Sequence, residues 1–309
     1  MANSGATMNG VLVVDKPQGM TSHDVVNRVR RLLAERSVGH LGTLDPLATG
    51  VLPLVIGRMT RLAQFYMGSE KTYEGSIRFG FATDTYDADG EMVGAEKIVK
   101  VTLEELQELA GKYRGRIQQM PPPFSAKKIK GVPAYKLARK QQEVELKPIE
   151  VEVKEFELLK WEAKCAEFRA RVASGTYMRS VAHEMGEQLG CGAHLASLRR
   201  TALGEFGIAE AHTLEELESA AEKREAEELF VHPRKLLPEM PSVTANEEMM
   251  AKIRVGRPVN LPELSRARQV KVFAGQNDLI AIATRVAGTL FHPKIVLAAQ
   301  TESERVQAR

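Results

Sequence analysis

The chain has 309 residues, long enough for one large domain and a small second one, because single hydrophobic cores stop growing near this size. Its 43% hydrophobic and 27% charged residues are those of an ordinary globular protein, which excludes the disordered and fibrous classes. The formal net charge of +3 says little by itself, no apolar run approaches the roughly 18 residues that cross a bilayer, and MANSGATMNG lacks the basic start and apolar core of a secretory signal. A cytoplasmic protein with no membrane association is therefore expected, its two cysteines, Cys165 and Cys191, reduced.

Residues 11–17, VLVVDKP, predict a short buried strand closed by a Lys-Pro-x-Gly turn. Thr21 or Ser22 then caps a helix with Val25, Val26, Val29, Leu32 and Leu33 at helical spacing. HLGTLDPLATG, residues 40–50, reads as a loop. Its one acid, Asp45, is on local grounds a turn aspartate: the side chain bonds nearby backbone N–H groups and Pro46 fixes the next φ. Residues 51–57 and 71–80 predict a buried strand and a half-exposed one. In TDTYDADG, residues 83–90, Asp87, Asp89 and Gly90 occupy positions of a Ca²⁺ loop that Glu96 would complete. Thr85 stands where the first ligand belongs, so a solvated turn is expected and no metal.

A helix over residues 101–113 starts at the Thr102 cap, and Pro121, Pro122 and Pro123 force a bend. From 112 to 140 the chain carries nine Lys or Arg residues, no acid, and three aromatics, Tyr113, Phe124 and Tyr135. A generic solvated face would pair its charges, so a phosphate-backbone contact is the better reading. Strands follow at 151–159 and 166–173, then a helix from about Tyr177. HEMGEQLG imitates a zinc-protease helix, but Glu187 replaces the second His; His183 and His194 read as ordinary residues. SLRRTALGEFGI, residues 197–208, predicts a strand, and the Glu-rich stretch 214–229 a solvated helix. A helix at 245–255 and strands at 270–274, 279–284 and 294–298 make a small β domain beginning near residue 243.

Four stretches in order, VDKPQGMTSHDVVNRVR, VGHLGTLDPLATGVLPLVIGRMTRL, KTYEGSIRFGFATDTYDADG and SGTYMRSVAHEMGEQLGCGAHLASLRRTALGEFGI, resemble the TruB family of tRNA pseudouridine synthases. The resemblance implies an α+β catalytic domain on a mixed, mostly antiparallel sheet (1–242, with a basic thumb-like insertion at about 112–148) and a small C-terminal PUA-like RNA-binding β domain (243–309). It implies isomerisation of uridine-55 in the T loop of tRNA by base flipping, with no metal and no cofactor. Carried over by motif, Asp45 is the nucleophile, Arg179 its partner that lowers its pKa, and Tyr73 the residue that stacks on the base. Tyr177 and Leu198 line the uridine pocket, and His40 fills the space left by the flipped nucleotide. Lys127, Lys128 and Lys130 of the insertion, with Arg199 and Arg200, are expected on the RNA, and Lys16 either there or bracing the Asp45 loop. Ala202 and Glu205 stand where family members often have Arg and Pro. The partner implied is the T-stem loop of tRNA, with a monomer and no obligatory protein partner. Two alternatives stay open: a guide-RNA-dependent H/ACA-type enzyme, which lacks the long thumb, and a non-catalytic tRNA-binding or folding factor.

Overall fold

The computed structural model describes residues 8–124, 128–129, 132–133 and 147–298. The large sheet begins with β1 (Gly10–Lys16), an almost continuously buried strand as its apolar run requires. α1 (Ser22–Leu32) follows, its first turn closed by a reciprocal capping box between Thr21 and Asp24, with Val25, Val26 and Val29 on the buried face. Next come β2 (Val38–His40), β3 (Thr49–Ile56), β4 (Lys71–Phe79), α2 (Leu103–Gly111), β5 (Gly115–Gln119), β6 (Ile149–Glu162) and β7 (Cys165–Val172). α3 (Met178–Gln188), β8 (Ala193–Leu203), β9 (Phe206–Gly207) and α4 (Leu214–Lys223) complete this part. Capping boxes at Thr102 and Thr213 start α2 and α4 where the sequence places Thr ahead of Glu.

Among the described residues the sheet has nine strands, in the order β1-β3-β8-β4-β7-β6-β5, with β2 beside β3 and β9 beside β8. Every neighbouring pair is antiparallel except β3 and β8, which run parallel where Thr49 and Gly50 face Arg199 and Arg200. The sheet is thus mixed and mostly antiparallel, as expected.

Several local expectations shift. β5, GRIQQ, is a strand the sequence does not announce, since an edge strand with one apolar residue has no alternation to read. The helix expected to be solvated over 214–229 ends at Lys223 and buries Leu214 and Leu217. β8 starts at Ala193, four residues earlier than expected.

A second sheet of five strands holds β10 (Ser242–Thr244), β11 (Val259–Asn260), β12 (Gln269–Ala274), β13 (Asp278–Ala287) and β14 (Leu290–Val296), with α5 (Glu247–Arg254) alongside. One apolar cluster runs across the junction: Val11, Val13, Val55, Leu203 and Phe206 pack with Phe273, Leu279, Ile282 and Ile295. No helix among the described residues is long and apolar enough to cross a membrane.

Candidate active site

The site forms where β3 and β8 run parallel. Gly50 has φ +97°, and a Cβ there would lie 2.2 Å from the Arg200 carbonyl oxygen, so only glycine allows the two backbones to meet. This crossing brings the 41–48 loop onto the end of β8. Three side chains hold the loop in place. Ser22 Oγ donates to the Leu44 carbonyl (3.0 Å) and accepts from the Leu44 N–H (2.8 Å). Lys16 Nζ donates to the carbonyls of Pro17 (2.8 Å), Met20 (2.6 Å) and Pro46 (3.4 Å). Arg200 donates to the carbonyls of Val51 (2.7 Å), Gly42 (3.0 Å) and Thr43 (3.4 Å).

A cavity of about 240 Å³ opens between this loop, β4, β8 and the start of α3. Asp45, Tyr73, Tyr177, Arg179, Leu198 and Arg200 all line it, together with Lys71 at the start of the KTYEG stretch. Asp45 Oδ2 lies 3.0 Å from Arg179 Nη2, and the Asp45 side chain is 42% exposed whereas that of Arg179 is 6% exposed. A buried cation thus holds a carboxylate that still faces the cavity. Arg179 sits in the first turn of α3, which Tyr177 opens as N-cap.

A second carboxylate is present. Asp87 Oδ2 lies 3.5 Å from Arg179 Nη1, and its side chain is 6% exposed. Its other oxygen accepts from Thr85 Oγ1 (2.5 Å) and from the Asp89 N–H (3.2 Å), and Arg179 donates to the carbonyls of Thr85 (3.1 Å) and Phe124 (3.0 Å). The solvated turn expected at TDTYDADG is therefore corrected: at Asp87 it is folded inward onto Arg179, behind Asp45. The outcome depends on Tyr86, whose φ of +67° turns the chain back and whose ring stacks on His183 of α3 with centroids 3.7 Å apart.

These neighbours also change the electrostatics. Burial raises the Asp45 carboxyl above its ordinary value; Arg179 pulls it back and Asp87 pushes it further up. Arg179 thus acts on Asp45 in the expected direction, but desolvation, with the Asp87 charge, leaves the carboxyl above its ordinary value. Burial likewise brings the ammonium groups of Lys16 and Lys71 down to about 8.

Not every expected residue takes the place the resemblance gives it. Lys16 and Arg200 are fully buried and bonded to loop carbonyls, so neither presents a cation to a phosphate; both brace the Asp45 loop. Arg199 faces an adjoining depression with Gln18, Thr49 and Ser197 and forms a two-point ion pair with Asp15 at 2.7 and 3.0 Å. His40 ends β2 outside the cavity lining, its Nδ1 buried with no partner among the described residues; burial lowers its pKa. Lys127 and Lys130 lie outside the described residues, and Lys128 is described only as the start of a two-residue strand, 128–129. Among the described residues no group of three or more His, Cys, Asp or Glu side chains is arranged to hold a metal ion.

Residues 30–178 match the model for the TruB family pseudouridylate synthase N-terminal domain, and residues 179–240 that for the tRNA pseudouridylate synthase B C-terminal domain. A tRNA pseudouridine synthase B of Solibacter usitatus is 51% identical over 294 residues, covering 94% of this chain and 100% of that protein. The chain belongs to the TruB family of pseudouridine synthases. The Aquifex aeolicus member named tRNA pseudouridine synthase B is 41% identical, with 94% of this chain and 100% of that one covered. Among solved structures, a Cbf5-Nop10-Gar1 complex matches with TM-score 0.69 at 24% identity, covering 94% of this chain and 85% of that one. An H/ACA RNP bound to a substrate RNA containing 2'-deoxyuridine matches with TM-score 0.68 at 24% identity and the same coverage. The TruB fold, a mixed catalytic sheet followed by a PUA-like β unit, is thus shared across these proteins. Within it Asp45, Tyr73, Tyr177 and Arg179 converge on one cavity, and Asp87, expected in a solvated turn, joins them through Arg179.

Proposed function

We propose that this pseudouridine synthase converts uridine-55 of the tRNA T loop to pseudouridine, with Asp45 as nucleophile. The observation that carries the reading is the Asp45 carboxylate, half-exposed in a cavity of about 240 Å³ and 3.0 Å from a buried arginine. The relatives named tRNA pseudouridine synthase B at 51% and 41% identity support tRNA as substrate and a stand-alone enzyme over a guide-dependent one.

The chemistry is a balanced isomerisation. The N1–C1' bond breaks, the base rotates, C5 bonds to C1', a proton leaves C5 and N1 gains one; nothing is oxidised or reduced. A stacked base cannot present these atoms, so the nucleotide must flip, at a cost of a few kcal/mol. Stacking on an aromatic ring returns about 1–3 kcal/mol, and Tyr73 on β4 supplies that surface. Arg179 keeps Asp45 aimed at the reacting carbon, and Tyr177 and Leu198 close the sides against water. Tyr73 is also the candidate to accept the C5 proton. Arg199 and the basic insertion (Lys127, Lys128, Lys130) would meet phosphates, and the unit from residue 243 onward would hold the rest of the tRNA. A monomer acting on tRNA in the cytoplasm completes the reading.

The test is a naked T-stem-loop transcript with purified protein and no guide RNA. Pseudouridine at the target uridine is expected, with Asp45→Asn abolishing product yet retaining tRNA binding. Undiminished turnover by that variant, or product at another position only, would sink the proposal.

A further inference from the structure

A small lock joins the end of β5 to the start of α3, and none of the catalytic motifs includes it. Gln119, the last residue of β5, is fully buried. Its Oε1 accepts from the Tyr177 N–H at 2.8 Å and its Nε2 donates to the Tyr177 carbonyl at 3.0 Å. One side-chain amide thus holds both polar groups of one backbone residue, a geometry that fixes position and rotation together. The helix answers in kind on the next residue. Ser180 Oγ donates to the Met120 carbonyl at 2.6 Å.

Tyr177 is where this lock bears on chemistry. It caps α3 without a side-chain cap bond of its own, so its backbone is set from outside the helix. Its ring lines the cavity, and Arg179 follows two residues later with Asp45 on its guanidinium.

We propose that Gln119 is a positioning residue for the isomerisation: by gripping the Tyr177 backbone it sets the aromatic wall of the base pocket and the guanidinium that aims Asp45. This rests on the reading that the pocket isomerises uridine. Gln119 touches no substrate; it acts through Tyr177 and Arg179. The demand is specific, because only a group with one donor and one acceptor at fixed spacing satisfies both backbone atoms. Methionine matches the volume and offers neither. An ionised glutamate keeps the acceptor and turns a second oxygen on the Tyr177 carbonyl, whereas a protonated glutamate restores the original pattern.

The experiment compares wild-type protein, Gln119→Met and Gln119→Glu by single-turnover pseudouridine formation and by tRNA binding, from pH 6 to pH 8. For Gln119→Met the rate constant is expected to fall about 10- to 100-fold, the size of effect a displaced reacting group produces, with tRNA affinity changed less than about threefold. For Gln119→Glu the rate relative to wild type at the same pH is expected to rise about threefold or more from pH 8 to pH 6, as the new carboxyl protonates. Asp45 and Glu184 titrate in both proteins, and the ratio at each pH refers the variant to wild type. A Gln119→Met rate within twofold of wild type overturns the proposal. So does a loss wholly matched by weaker tRNA binding, or a Gln119→Glu ratio flat with pH, which would mean that the amide only fills space. If Gln119→Met does not fold, the pH-dependent ratio of Gln119→Glu decides by itself. Wild-type protein that makes no pseudouridine from tRNA removes the proposed function, and is recognised before any variant is compared.

Discussion

Asp45 sits between two opposing influences. Burial and the nearby Asp87 raise its pKa, and Arg179 counters them from 3.0 Å. Because the chemistry needs the ionised form, the rate falls as pH drops through that raised value. The acid limb of the single-turnover profile is therefore expected above the ordinary Asp value of about 3.9. Arg179→Gln should move it higher still, by removing the cation and leaving two carboxylates facing one another. A limb at or below the ordinary value in the wild-type protein would contradict this electrostatic picture. Stability runs the other way. A carboxyl whose pKa is higher folded than unfolded destabilises the fold at pH values above the folded pKa, and the penalty disappears as pH falls through it. Asp45→Asn is thus expected to melt no lower than wild type at neutral pH while losing activity, a result calorimetry can check. Asp45 itself stands out in the sequence because its loop belongs to a recognisable motif. Asp87 does not, because a DTYDADG run looks like a solvated turn until the Tyr86 backbone conformation and the Tyr86–His183 stack fold it inward.

The 41–48 loop and the elements around it explain why this segment can carry chemistry without being mobile. Buried side chains from β1, α1 and β8 bond its backbone, beside backbone bonds such as that from the Ala48 N–H to the Asp45 carbonyl. Ser22→Ala would leave the Leu44 N–H and carbonyl without their partner in a buried place. A loss of about 1–3 kcal/mol in urea unfolding is expected, with a drop in rate as the neighbouring Asp45 shifts. Gly50→Ala should cost more. The left-handed backbone alone penalises a side chain by about 1–3 kcal/mol, and the Cβ would collide with the Arg200 carbonyl. An alanine variant of wild-type stability would show that β3 and β8 do not run so close. α1, β1, β3 and β4 were legible because buried runs, Thr caps and 3.6-residue periodicity are local properties. β5 was not, since its pairing with β6, Ile149 opposite Gln119, is made by a distant segment.

At the scale of the whole molecule, the two sheets share an apolar cluster and a set of polar clasps. Lys271 on β12 is almost fully buried, and its Nζ donates to the carbonyls of Leu236 (2.6 Å) and Arg234 (3.2 Å) in the connecting segment. Arg234 lies 4.2 Å over the Phe273 ring and donates to the carbonyls of Gly275 and Gln276. Nearby, Glu205 accepts from the Tyr66 hydroxyl (2.8 Å) and the Leu237 N–H (2.9 Å), so this acid ties the junction together. Lys271→Met is expected to speed proteolysis within residues 233–241 and to raise the KM for tRNA with kcat little changed; equal proteolysis rates would deny the clasp its role. By itself the sequence determined the cappable helices, the buried strands, the family motifs and the aspartate at their centre, because capping, periodicity and motif spacing are written within short stretches of chain. Only the tertiary structure decided that Lys16 and Arg200 brace a loop, that Asp87 stands behind Arg179, and that Gln119 grips Tyr177. Each of those roles depends on which distant groups share a desolvated space, and desolvation is a property of the assembled fold.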